Sequence, residues 1–236
     1  MTHQATPPVL LWVWTLDGAP ADAAALSDDE RRRAARLVMP GHGARFVAAR
    51  AGLRRILADF LGRDPTALRF GLGPHGKPHV EDAADLAFNL SHSDNLAAAA
   101  VTRGMPVGVD IERIRPVADG LAARFFARLE SDALGRIAPA ARTAAFHACW
   151  TRKEAYIKAL GTGLATRLDS FAVSLDPSDP ARLLWVDGDA DAPRRWQMHG
   201  FTPAEGFAGA IAAPGTGWQV IRRQPPWLQA DARASR

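Results

Sequence analysis

The chain has 236 residues, of which 47% are hydrophobic and 23% charged, enough length for a substantial core and a composition that excludes wholesale disorder. A single cysteine, Cys149, excludes an internal disulfide framework and a cysteine-built zinc site. The net charge of +4 and a pI near 9.9 favour an anionic partner. No zinc-finger spacing, RNP-type aromatic motif or basic heptad helix is present, so nucleic acid is not the expected partner.

In chain order, the apolar run Val9–Leu16 reads as a strand, too short to cross a membrane and without the charged flank of a signal peptide, so a cytoplasmic protein is expected. Ser27 with Glu30 three residues on forms a capping box that opens a helix, and Met39-Pro40-Gly41 breaks it. Ala44 to Leu61 carries Phe46, Ala49, Leu53, Ile56, Leu57 and Phe60 at helical spacing and ends at Gly62. Strands follow at Leu68–Gly71, Leu86–Leu90 and Leu96–Thr102. The order then recurs: strand Val107–Glu112, helices at Val117–Leu134 and Arg142–Leu160, and strands Phe171–Leu175, Arg195–Gly200 and Phe207–Ala212, with Trp218–Ile221 as a further candidate. This predicts an α+β fold of two similar halves, residues 1–105 and 106–224, meeting at a shared cleft and followed by a flexible tail at 225–236.

Within that frame one constellation stands out. On a strand, Asp110 and Glu112 point to the same face while Val109 and Ile111 point into the core. Forty-two residues after Glu112, Glu154 sits on a helix one turn after Trp150 and one turn before Lys158. A lone D-x-E is most often a solvent-facing pair, and Glu154 with Lys158 is equally an ordinary i,i+4 pair on an exposed helix. Three carboxylates from a strand and a helix nevertheless suit a hard cation, Mg²⁺ first, with Mn²⁺ as an alternative.

The lysines add weight, because the 29 basic residues include only three, Lys77, Lys153 and Lys158, and two of them flank Glu154. A compact ammonium and a planar guanidinium are not interchangeable at a phosphate. Lys77 leaves the turn Gly73–Pro78 and is a candidate anion contact, although such Gly/Pro clusters are most often plain hairpin loops. Ser91 and His92 at a strand end suit hydrogen bonding to a phosphate better than nucleophilic catalysis, since neighbours on a strand point apart and no G-x-S-x-G elbow is present.

The blocks GKP at 76–78, FNLSHS at 88–93, GVDIE at 108–112 and WTRKEAYIKALGTGL at 150–164 together resemble the signature of the Sfp-type 4′-phosphopantetheinyl transferases, in the same order and at similar spacing. The resemblance implies two subdomains related by a pseudo-two-fold axis with the active site at their interface, acting as a monomer. It implies transfer of the 4′-phosphopantetheine arm of coenzyme A to a serine of an apo acyl or peptidyl carrier domain, with release of 3′,5′-ADP. Asp110, Glu112 and Glu154 would hold Mg²⁺, Glu154 would help take the serine proton, and Lys158 would neutralise or protonate the leaving group. Lys77, Ser91, His92, Arg45 and Lys153, with Arg33 a further candidate, would contact the coenzyme. The rival readings are a Mg²⁺-dependent phosphotransferase or nuclease of another family, and a non-catalytic coenzyme- or nucleic-acid-binding module.

Overall fold

The computed structural model describes residues 6–17, 19 and 21–228. The first half runs β1 (Val9–Thr15), α1 (Asp28–Ala35), α2 (His42–Leu61), the hairpin β2 (Phe70–Leu72) and β3 (Pro78–Val80), then β4 (Leu86–Ser93) and β5 (Leu96–Arg103). The second half repeats the order with β6 (Gly108–Arg113), α3 (Leu121–Phe125), α4 (Arg128–Arg136), α5 (Pro139–Leu160), the hairpin β7 (Phe171–Val173) and β8 (Leu183–Val186), α6 (Ala192–Arg195), β9 (Trp196–Phe201) and β10 (Phe207–Pro214). Strand β11 (Val220–Arg223) then returns to the first half and pairs parallel with β1.

The two sheets run β11-β1-β5-β4 and β6-β10-β9. In each half the first strand lies beside the last, and the last beside the one before it, all antiparallel. Three cores result. Trp12, Trp14, Ala97 and Ala99 meet Leu53, Ile56 and Leu57 of α2; Ala210, Ala212 and Met198 meet Phe146, Cys149 and Ile157 of α5; and Val9, Leu11, Ala98 and Ala100 meet Val109, Ile111 and Ile211 between the sheets. Both faces of β1 are therefore covered, which is why it is apolar from Val9 to Trp14, whereas β6 alternates, with Val109 and Ile111 toward the core between the sheets and Asp110 and Glu112 toward α5.

A buried ion pair anchors each long helix. Arg54 of α2 donates from Nε to Glu30 at 2.7 Å and from its terminal nitrogen to the Pro65 and Leu68 carbonyls. Lys153 of α5 donates to both oxygens of Glu130, at 2.8 and 2.6 Å, and to the Phe171 carbonyl. In both halves the glutamate also accepts the backbone N–H just ahead of its short helix, Ser27 in one and Ala127 in the other. Arg54 and Lys153 each stand eight positions before the left-handed glycine that ends their helix, Gly62 or Gly161.

Two expectations change here. The single helix anticipated over Val117–Leu134 is split into α3 and α4, because Phe126 is extended and buried and Glu130 starts a new helix at Ala127. The start of the anticipated tail is packed, since Trp227 meets Trp14 edge-on at 5.9 Å between ring centroids; residues 229–236 of that tail lie outside the described residues.

Candidate active site

Strand β6 presents Asp110 and Glu112 toward α5, with Val109 and Ile111 fully buried on the opposite face. The close approach of α5 depends on Gly108, because a Cβ there would run into the Ala155 carbonyl oxygen and the Ala159 nitrogen, both backbone atoms. That approach brings Glu154 and Lys158 to the strand. Lys158 Nζ donates to Asp110 Oδ1 at 2.6 Å and to Ser91 Oγ at 3.2 Å. Burial first, then the neighbouring Asp110 and Glu112 charges, pushes the Glu154 carboxyl above its usual range, against the pull of Lys158. Burial also raises Glu112, with the Asp110 charge adding to it and the Ser93 hydrogen bond opposing it.

The edge of β6 away from β10 faces the edge of β4, and side chains join them. The N–H groups of Val109, Ile111 and Arg113 donate to Asn89 Oδ1, Ser91 Oγ and Ser93 Oγ at 2.8, 3.3 and 3.0 Å. The same serine hydroxyls donate onward, Ser91 to Asp110 Oδ1 at 2.8 Å and Ser93 to Glu112 Oε2 at 2.7 Å. The carboxylates of the second half are thus held by a strand of the first. Sequence reasoning passed over Asn89 and Ser93. Their signal was the period-two polar series 89, 91, 93 on an otherwise apolar strand. It also passed over His147, buried one helical face with Glu154, whose Nε2 meets the Arg115 backbone and whose Nδ1 has no partner.

Two cavities flank this seam and share Gly76, Pro78 and Asn89. One, of about 600 Å³, is lined by His75, Lys77, Phe125, Glu154, Ile157 and Lys158 among others. The other, of about 900 Å³, is lined by Arg33, Phe46, Arg50, Phe88, Leu90 and His92 among others. Ser91 and His92 therefore part company, as neighbours on a strand must: Ser91 is buried at the carboxylates and His92 is exposed toward the larger cavity. Desolvation, then the charges of Lys158, His42 and Arg33, lowers the His92 imidazole below its ordinary range.

Three expected coenzyme contacts have their charged ends engaged by the chain itself. Lys153 is fully buried against Glu130, so it is an internal anchor of α5 and not a phosphate contact. Lys77 Nζ donates to the Val107 and Ala159 carbonyls, both at 3.0 Å, tying the β2–β3 turn to the start of β6 and the end of α5; burial lowers it to about 8. Arg45 pairs with Asp94 at 3.3 Å and Asp17 at 3.9 Å. Arg33 instead lies over the Phe46 ring, 5.5 Å from its centroid.

The acidic trio also bears on a metal ion. Among the described residues no three His, Cys, Asp or Glu side chains are gathered as a cage, and Lys158 is the cation seated on Asp110. The donor chemistry still fits a hard divalent ion: Asp110 Oδ2 is buried without a partner, and the burial and mutual repulsion that raise Glu112 and Glu154 are relieved by positive charge.

A protein from Nostoc sp. named 4′-phosphopantetheinyl transferase HetI is 40% identical over 202 residues, covering 84% of this chain and 82% of the relative. The chain belongs to the 4′-phosphopantetheinyl transferase superfamily. The model of that superfamily matches residues 106–212, the stretch that contributes Asp110, Glu112, Glu154 and Lys158. A 4′-phosphopantetheinyl transferase of Bacillus subtilis is 33% identical over 70% of this chain and 73% of its own length, and the Bacillus subtilis 4′-phosphopantetheinyl transferase Sfp is 34% identical over 64% and 72%. Their alignments extend beyond the second half, so family likeness reaches the first half and its share of the seam. Among the described residues no helix is long and apolar enough to cross a membrane.

Proposed function

We propose that this chain transfers the 4′-phosphopantetheine arm of coenzyme A to a serine hydroxyl of an apo acyl or peptidyl carrier domain. The supporting observation is the meeting of Asp110, Glu112, Glu154 and Lys158 at one seam in a chain of this superfamily. The serine oxygen forms a bond to the phosphorus that bears the pantetheine arm, and the bond from that phosphorus to the bridging oxygen breaks, releasing 3′,5′-ADP. Mg²⁺, or Mn²⁺ in its place, would neutralise pyrophosphate charge and stabilise the leaving group.

Asp110, Glu112 and Glu154 are the groups that would hold that ion. Glu154, a buried carboxylate beside that ion, would take the serine proton directly or through water. Lys158, drawn from Asp110 to the anion, neutralises the departing phosphate and can supply its proton. His92 and Arg33 face the larger cavity and suit the 3′-phosphoadenosine end, where an anion would restore the His92 charge that its surroundings suppress. Ser91 acts through Asp110 and Lys158. Lys77 and Lys153 act as internal ties, and Arg45 meets coenzyme only by leaving its aspartates. The shared strand order and paired Glu-base anchors support two halves related by a pseudo-two-fold axis. The arginine-rich exterior suits acidic carrier domains.

The test is the intact mass of an apo carrier domain incubated with the chain, coenzyme A and Mg²⁺. A gain of the phosphopantetheine mass, abolished by Asp110→Asn, is expected; cleavage of nucleotides or DNA with no carrier modification would replace the reading with a nuclease or another phosphotransferase. For His92, alanine should raise the KM for coenzyme A about tenfold, the loss of ~1.5 kcal/mol from a charge-assisted contact, with kcat little changed. An unaltered preference for coenzyme A over its 3′-dephospho form would remove His92 from that phosphate.

A further inference from the structure

The third rung of the β4–β6 seam has no task in the reaction described above. Ser93 is buried, lines neither cavity, and belongs to the half opposite to the carboxylates. Yet its hydroxyl both accepts and donates. It accepts the Arg113 N–H at 3.0 Å and donates to Glu112 Oε2 at 2.7 Å.

A hydroxyl has one proton to give. The oxygen accepts the Arg113 N–H, and the proton goes to Glu112. The neighbouring rung repeats the pattern through Ser91 and Asp110, whereas the first rung, Asn89 to Val109, lies beside Gly108 and carries no carboxylate. Where the strand bears an acid, the seam uses a serine that both accepts and donates. Where it bears none, an amide oxygen suffices.

Resting on the transferase reading, we propose that Ser93 is a positioning residue for Glu112: it fixes the carboxylate of the second half from a strand of the first, so that Glu112 is aimed for a divalent cation before that cation arrives. An unheld glutamate has several rotamers to lose on binding an ion, and outer partners of metal-binding carboxylates typically govern affinity by one to two orders of magnitude. An acid aimed in advance keeps one ligand ready while Asp110 still holds Lys158.

The experiment is calorimetric titration of Mg²⁺ into the full chain with coenzyme A bound, a readout independent of turnover. Ser93→Ala should weaken Mg²⁺ about tenfold, and Ser93→Thr, which keeps the hydroxyl, should return to within about threefold of the parent. At saturating Mg²⁺ the KM for coenzyme A should match the parent. Thr102→Val serves as the control for a merely structural loss, since Thr102 is a buried hydroxyl of the same half that bonds the Pro8 carbonyl far along the sheet; it should lower stability and leave Mg²⁺ affinity alone. If the alanine variant does not fold, Ser93→Cys fills similar space with a weaker donor and should shift affinity in the same direction.

Parental Mg²⁺ affinity in Ser93→Ala, or in Ser93→Cys where that replaces it, overturns the proposal, as does equal weakening by Thr102→Val. A parent that modifies carrier domains and binds Mg²⁺ normally alongside an unaffected Ser93 variant sinks this proposal alone. A parent that modifies no carrier, or does so without a divalent ion, overturns the underlying reading and this proposal with it.

Discussion

The two halves share a plan and differ in how the long helix meets its first strand. In the first half Trp12 and Trp14 fill the space between β1 and α2, and the helix yields at Gly52, where a Cβ would stand 2.9 Å from the Trp14 indole. In the second half the strand yields at Gly108, and α5 comes down almost backbone to backbone. Asp110 and Glu112 occupy the helix-facing side of β6, as the two tryptophans do on β1. Indole packing makes a core of one half; close approach with carboxylates makes the candidate site of the other. The buried Glu-base pair is the feature that both retain.

The largest losses are expected at those anchors. Lys153→Ala should cost about 3–5 kcal/mol, because it strands Glu130 as an unpaired buried charge, whereas Arg54→Ala should cost less, about 2–3 kcal/mol, because Arg50 still pairs with Glu30. Denaturant unfolding checks both. A Lys153 variant of parental stability with only a raised KM for coenzyme A would return Lys153 to the phosphate.

A smaller effect separates the glycines. Gly108→Ala forces backbone apart and should destabilise by about 3 kcal/mol while removing transfer, since Glu154 and Lys158 move away from Asp110. Gly52→Ala meets only a side chain, so a cost of about 1–2 kcal/mol with transfer retained is expected. Equal loss of transfer in the two would show that the helix-strand distance in the first half matters as much as in the second.

The smallest effect is on stability and depends on pH. Glu112 and Glu154 have folded pKa values above the ordinary 4.5, so ionising them opposes folding of the metal-free protein. Glutamine at either position should stabilise it above the raised pKa. The gain should shrink as the pH falls through that pKa and vanish below the ordinary 4.5, and added Mg²⁺ should stabilise the parent but not the variants. Thermal melts from pH 4 to 8 check it; a pH-independent difference between parent and variants would deny the repulsion at the seam.

By itself the sequence determined most elements and the acidic trio, for local reasons. Helical spacing marked α2 and α5, which end at the glycines 62 and 161, the capping box at Ser27 opened α1, and strand parity put Asp110 and Glu112 on one face. The short strands Pro78–Val80 and Leu183–Val186 escaped because three or four residues carry too little periodicity to read. What each charged group meets was set by packing between distant segments. Composition singled out three lysines, yet Lys158 reaches the carboxylates, Lys77 meets two carbonyls and Lys153 is sealed against Glu130. The serine rungs were equally out of reach, because each joins residues about twenty positions apart on strands of different sheets. A side chain's face follows from the local backbone, whereas its partner depends on which distant segment packs there, and that is set by the cores that hold the two halves together.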